Sequence, residues 1–202
     1  MTHSVLPLDH FRKIAVQPAV PPWRVAEIAG RLIEISCAET GAAFTMAFGL
    51  TLEAQRQGEP VAWITPRESS FYPPDAAEGG VDLDALIVVR VPDAKAVPRA
   101  ADRLVRSGGF GLVILDLATA AIPTPLQARL AGLAQKHHAA LVCLTEKVEK
   151  APSLGSLVSL RVHAQRESVA ENRFVCGITA LKDKRRGPTW IHTEVCRGPA
   201  GL

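Results

Sequence analysis

A strand-like run, Arg31-Leu-Ile-Glu-Ile-Ser36, is followed by Cys37-Ala-Glu-Thr-Gly-Ala-Ala-Phe-Thr45 and a helical stretch from Met46 to Gln57. Strand, loop and helix in that order, with a loop of that length, match a phosphate-binding loop. In the working motif, G-x-x-x-x-G-K-[ST], glycines let backbone N–H groups wrap the phosphates. The Lys neutralises the terminal phosphates, and the hydroxyl ligates Mg²⁺. Here Cys37 stands at the first glycine, Ala42 at the second, Ala43 at the lysine and Phe44 at the hydroxyl. Gly41 is the glycine that remains inside the loop. A benzyl group cannot ligate Mg²⁺, and it fills the space the metal needs. The loop therefore predicts a chain that does not hydrolyse ATP and takes no cofactor.

That register rests on a resemblance running from about Gly30 to the C-terminus. Gly30-Arg-Leu-Ile-Glu-Ile-Ser-Cys-Ala-Glu39 resembles the first core strand and loop of the bacterial RecA family, G-R-I-V-E-I-Y-G-P-E. Ala62-Trp-Ile-Thr65 is similar to the second strand, and Gly80-Val-Asp-Leu-Asp-Ala-Leu-Ile-Val-Val89 to G-V-D-I-D-N-L-L-V-S. Ala101-Asp-Arg-Leu-Val-Arg-Ser-Gly108 parallels A-D-A-L-V-R-S-G, and Leu112-Val-Ile-Leu-Asp116 sits where the Walker B strand ends in Asp. At 202 residues, the expectation is a chain without the C-terminal domain of RecA. A short RecA-like chain with a degenerate ATP site resembles the ImuA family, accessory proteins of bacterial damage-inducible mutagenesis. The SulA-like inhibitors of cell division are a related alternative. A residual nucleotide-binding ATPase is a third.

The resemblance also carries expectations residue by residue. Asp116 matches the aspartate that holds Mg²⁺ through water, while the plainer reading is a strand-end Asp capping a turn. Arg67 aligns with the catalytic glutamate, with Glu68 one place on, and Glu146 falls where the family keeps a nucleotide-sensing Gln. A carboxylate there would repel a γ-phosphate. Both DNA loops look reduced, which leaves room only for a weak, salt-sensitive contact with DNA. Lys182-Asp-Lys-Arg-Arg-Gly187 is the sharpest basic feature. Lys182 and Lys184 lie where RecA has two lysines that reach a neighbouring subunit's ATP, so Lys182, Lys184, Arg185 and Arg186 are the partner- or DNA-binding candidates. The plain alternative is a solvated hairpin tip. The implied role is a non-catalytic accessory factor in SOS-type damage response and translesion synthesis, with RecA and an ImuB-like polymerase subunit as partners.

The elements that must position these residues read as α/β. Leu32–Ser36, Val61–Thr65, Ala85–Arg90, Leu112–Asp116 and Ala140–Thr145 are short, continuous apolar runs, as parallel strands covered on both faces require. Helical patterns fall between them, through Val97, Ala101, Leu104 and Val105, and through Leu126, Leu130, Leu133 and Ala134. Pro66 to Gly80 reads as a long loop. Leu157–Ala164, Asn172–Leu181 and Thr189–Cys196 read as an antiparallel meander. The expectation is a RecA-like core over residues 23–202 with a mostly parallel sheet flanked by helices, preceded by an arm or linker over residues 1–22. The 48% hydrophobic content supports a sizeable core, and a net charge of +3 is too mild to argue for a dedicated nucleic-acid binder. The four cysteines lie far apart with no C-x-x-C pair, so neither a zinc site nor a disulfide scaffold is suggested. His137-His138 read as a helix C-terminus rather than a metal pair. No apolar run approaches the ~20 residues that span a bilayer, and the N-terminus lacks a signal-peptide pattern, so a cytoplasmic protein with no membrane contact is expected.

Overall fold

The computed structural model describes residues 23–38, 40–170, 173–187 and 190–197. The arm assigned to residues 1–22 lies outside them. Along the chain come α1 (Val25–Ile28), β1 (Leu32–Cys37), α2 (Thr40–Arg56), β2 (Val61–Pro66), α3 (Pro73–Glu78), β3 (Leu86–Val91) and α4 (Val97–Val105). They are followed by β4 (Leu112–Ala118), α5 (Thr124–His137), β5 (Ala140–Glu146), β6 (Leu160–Ala170), β7 (Arg173–Asp183) and β8 (Ile191–Arg197).

All eight strands form one sheet in the order β3-β2-β4-β5-β1-β6-β7-β8. The first six neighbours are parallel, and β6, β7 and β8 pair antiparallel. The period of two along each strand divides the core. Ile33, Ile35, Val61, Trp63, Leu112, Ile114, Val142 and Leu144 face the layer containing α1 and α2. Leu32, Ala62, Ile64, Val113, Leu115, Leu141 and Cys143 face the layer of α4 and α5. Every residue of β1 and β2 is buried, which is why these strands read as unbroken apolar runs.

Two expectations change. The helix after the loop begins at Thr40 rather than near Met46, because Ala42, Ala43 and Ala47 are strong helix formers and all three are buried. The segment from Pro66 to Gly80 contains α3, a short helix whose prolines occupy its first positions. A proline's missing N–H costs nothing in a first turn, so Pro73-Pro74 starts this helix instead of excluding it.

The antiparallel edge is locked to the parallel sheet by a buried ion pair. Arg31 Nη2 donates to Asp183 Oδ1 at 2.7 Å, with side chains only 4% and 1% exposed. Asp183 also accepts from the Trp190 indole at 3.0 Å and from the Arg185 backbone N–H at 2.9 Å. Arg31 adds bonds to the hydroxyl and carbonyl of Ser159, at the entry to β6. Burial by itself would raise the Asp183 pKa, but the hydrogen bonds donated by Arg185, Arg31 and Trp190 outweigh it and hold the carboxyl below its ordinary value.

Asp183→Ala strands a buried guanidinium and is expected to cost about 3–5 kcal/mol. Removing the more exposed Arg186–Glu27 pair should cost about 0–1 kcal/mol. Urea denaturation of both variants checks the contrast. Because the folded Asp183 pKa is depressed, its contribution is present above the unfolded value of about 3.9 and is lost as pH falls through the lower folded value. An acid titration of Asp183→Asn should lack that portion of the pH dependence.

Candidate functional site

At the carboxyl ends of β1, β4 and β5, Cys37, Ala43, Phe44, Asp116, Ala118, Leu144, Thr145 and Glu146 surround a small cavity. Four of the six loop and strand positions singled out in the sequence meet here: Cys37, Ala43, Phe44 and Asp116. Ala42 is buried beside them, and Gly41 falls in the first turn of α2. The cavity volume is about 10 Å³, room for about one water.

Phe44 accounts for the small volume. Its ring stacks on Trp63 with centroids 5.7 Å apart and planes at 26°. Phe48, one helical turn on, lies 5.0 Å from the same indole, and Phe71 lies 4.9 Å from it on another side. Three of the chain's six phenylalanines thus gather around one β2 tryptophan, and Phe44 and Phe48 pin the first turns of α2 to the sheet.

Asp116 belongs to the same assembly. Its Oδ2 accepts from the Thr65 hydroxyl at 2.8 Å and from the Ser69 hydroxyl. Ser69 Oγ in turn accepts from the Phe71 N–H at 3.0 Å. The carboxylate therefore ties the end of β2 and its following loop to β4, rather than capping a turn of its own. Beyond it the strand breaks register, and Ala118 takes a left-handed φ of 48°. Arg67 and Glu68 are exposed on the loop after β2.

A strand loop and helix of this order, with the Asp at the end of β4 beside them, are the parts of one family. Residues 25–149 match the RecA N-terminal domain family. The chain belongs to that family. Over 94 residues, 46% of this chain, it is 38% identical to protein RecA of Fusobacterium nucleatum, covering 25% of that protein. It is 35% identical over 94 residues to protein RecA of Rickettsia massiliae and 36% to that of a Nocardioides species, covering 27% of each. The aligned stretch spans about a quarter of the length of these relatives.

Within this RecA-like core, Glu34 is a hub that sequence reasoning passed over. It is fully buried in β1. Oε1 accepts from the Thr145 hydroxyl and Lys147 Nζ, both at 3.0 Å. Oε2 accepts from the Ser153 hydroxyl and the Leu154 N–H, both at 2.8 Å, with Arg161 Nε 4.0 Å away. Arg161 also donates to the carbonyls of Val148, Glu149 and Ala151. The segment after β5, read from the RecA resemblance as a reduced DNA loop, is thereby held down, with Lys147 committed to Glu34. The available signal was a lone carboxylate in an otherwise apolar strand, which cannot stay buried without partners.

The basic turn after β7 is also built into the fold. Lys182 Nζ donates to the carbonyls of Gly155 and Ser156 at 3.3 and 3.4 Å, and Lys184 Nζ to that of Ser156 at 2.7 Å. Arg185 donates to the carbonyls of Glu27 and Ala29, and Arg186 reaches the Glu27 carboxylate at 2.6 Å. Burial, then the neighbouring Lys184, push the Lys182 pKa below its ordinary value. The exposed arginines without a partner among the described residues lie elsewhere, Arg99 and Arg103 on the outer face of α4 among them.

Phe44→Ala should destabilise the fold by about 3 kcal/mol, at the low end for a large aromatic truncated in a core. Chemical denaturation monitored by tryptophan fluorescence measures it. Tyr72→Ala, at a residue 58% exposed, is the control expected to change stability little.

Proposed function

We propose that this chain is a RecA-like protein that does not bind or hydrolyse ATP and acts by binding other proteins, as an ImuA-type accessory factor in the SOS-type DNA damage response and translesion synthesis. The observation that carries the reading is Phe44 packed into the aromatic cluster where the phosphate loop would present its metal-binding hydroxyl. Ligand cavities run to roughly 300–1,000 Å³, whereas the remaining space is about 10 Å³. Its ionisable walls are Asp116 and Glu146, with no lysine or arginine among the lining residues, so the local field opposes a triphosphate.

On this reading the partners are RecA and an ImuB-like polymerase subunit, met in the cytoplasm. Any DNA contact is weak and electrostatic. Lys182 and Lys184 flank Asp183, which is anchored through Arg31, so the turn is a fixed platform rather than a loose tip. Their present acceptors are neutral backbone carbonyls. A phosphate oxygen makes the stronger, charge-assisted bond and would displace them. The chain could then dock on the ATP of a terminal RecA subunit and offer no working site for further growth, so that it restrains the filament while its other partner is brought to the lesion.

Two measurements test this. ATP with Mg²⁺ should give no calorimetric binding signal, and Ala43→Lys alone should not restore one, since Phe44 still fills the metal position. Micromolar affinity in the unmodified protein would overturn the reading. Charge reversal at Lys182 and Lys184 removes charge-assisted contacts worth about 1.5–3 kcal/mol, so affinity for ATP-loaded RecA should fall by about 10- to 100-fold. Undiminished binding by the doubly reversed variant would reduce the turn to a structural element. Capture of the tubulin-like division protein in place of RecA would point to the SulA-like alternative.

A further inference from the structure

The layer of α4 and α5 carries its charge outward and of one sign. Val97, Ala101 and Val105 recur every four residues and are buried against the sheet, so the opposite side of α4 faces outward. Arg99, Arg103 and Arg106 occupy that side at i, i+4 and i+7, and all three are exposed. On the neighbouring α5, Arg129 and Lys136 are exposed as well. Asp102 joins the two helices. It accepts from Arg106 Nη2 at 2.7 Å and lies 2.8 Å from Arg129 Nε, yet those arginines remain 48% and 51% exposed. Asp102 is the only acid in residues 97–106 and in α5, against the five cations just named. The whole chain is nearly balanced, with 23 Lys and Arg to 20 Asp and Glu. The charge on this face is therefore segregated, whereas an ordinary soluble surface mixes both signs.

We propose that this face of α4 and α5 binds the phosphate backbone of duplex DNA without reading its sequence. It deepens the proposed function by locating that reading's electrostatic DNA contact, away from Lys147, Lys182 and Lys184, which already have acceptors. Arg99 and Arg103 have no acceptor among the described residues, so a phosphate reaches them without breaking an ion pair. A guanidinium fork matches two phosphate oxygens at once. The row from Arg99 to Arg106 is about 10 Å long at ~1.5 Å per helical residue. It therefore faces about three phosphates of one strand, which recur every ~3.4 Å along the duplex axis. Neither helix exposes a large apolar side chain. Protein interfaces depend on such anchors, while DNA interfaces are polar and positive. Neither helix contains Phe, Tyr or Trp, so the stacking platform of a single-strand site is missing. Contacts to phosphate fix position and carry no sequence information.

The test is fluorescence anisotropy of the full chain with a labelled duplex of arbitrary sequence, without ATP or RecA, from about 50 to 200 mM salt. Four or five phosphate contacts give a slope of log K against log salt of about −4, so affinity should fall by about 100- to 300-fold across that range. Arg99→Glu with Arg103→Glu should flatten the slope by about 2 and weaken binding at the lower salt by about 10-fold or more. Arg56→Glu with Arg173→Glu makes the same change of net charge at exposed positions on other elements. It should leave the slope unchanged, because the same counterions are released. Equal losses in the two variants overturn the proposal, as does the absence of binding at the lower salt. Tighter binding of a single strand of the same length also overturns it, and tighter binding of poly-glutamate overturns it in favour of an acidic protein partner. Circular dichroism establishes that both variants are folded, and the slope and ligand preference of the unmodified chain decide without them. Failure here leaves the accessory reading standing, and failure of the ATP or RecA measurements leaves this surface standing.

Discussion

The contact on which the site depends is Phe44 against Trp63. A phosphate loop is a helix N-terminus whose backbone donors are aimed at an anion. Here the same strand and helix are held in place by rings. Five ring contacts with centroids between 4.9 and 6.3 Å join Phe44, Phe48, Trp63 and Phe71. Such pairs contribute about 0.5–1.5 kcal/mol each beyond the burial of their area. They also offset a cost, because the Trp63 indole N–H is buried with no partner among the described residues, a loss of about 1–3 kcal/mol. The cluster reaches Asp116 through Ser69 and Phe71, so a carboxylate at the metal position serves to fasten two strand ends. Ring packing and carboxylate bonding thus support the same geometry.

Two buried charge clusters centre on β1 and its entry. Glu34 organises the segment after β5, and Arg31 with Asp183 fixes the antiparallel edge. Buried ion pairs add little net stability because desolvation consumes much of the attraction. Their effect is geometric: a buried carboxylate must find its donors, which leaves one arrangement for the segment around residues 147–154 and one for the turn after Asp183. The residues described around the cavity at the carboxyl ends of β1, β4 and β5 include two carboxylates, Asp116 and Glu146, and no lysine or arginine.

The parallel sheet was legible because its central strands are buried on both faces and so carry unbroken apolar runs. Leu32–Cys37 and Val61–Pro66 each differ from the sequence reading by a single residue at the C-terminal end. Helix α3 was not legible, since Pro73-Pro74 signals a loop and a helix start equally well. The loop positions Cys37, Ala43 and Phe44 could be placed from the family register, but their environment could not. Phe44 is read in sequence as an obstruction, and only the adjacency of α2 to β2 makes it the centre of a cluster. The hydroxyls on Asp116 come from positions some fifty residues upstream, and the donors on Glu34 from more than a hundred residues downstream. Those distances are set by strand order, which no local pattern encodes.

The basic turn shows why charge in sequence is a poor guide to charge in use. Four cations in five residues suggest an exposed patch, yet each has an acceptor within the chain, and the only acid among them is buried. What distinguishes the four is the strength of what holds them. Arg186 faces a carboxylate and Arg185 two carbonyls of α1 and its end, so both help seat that helix. Lys182 and Lys184 face only the carbonyls of residues 155 and 156, which an anion can replace without uncovering a buried charge. The arginines therefore behave as structure, and the lysines keep the capacity to change partner. An incoming phosphate needs to break no ion pair in order to reach them.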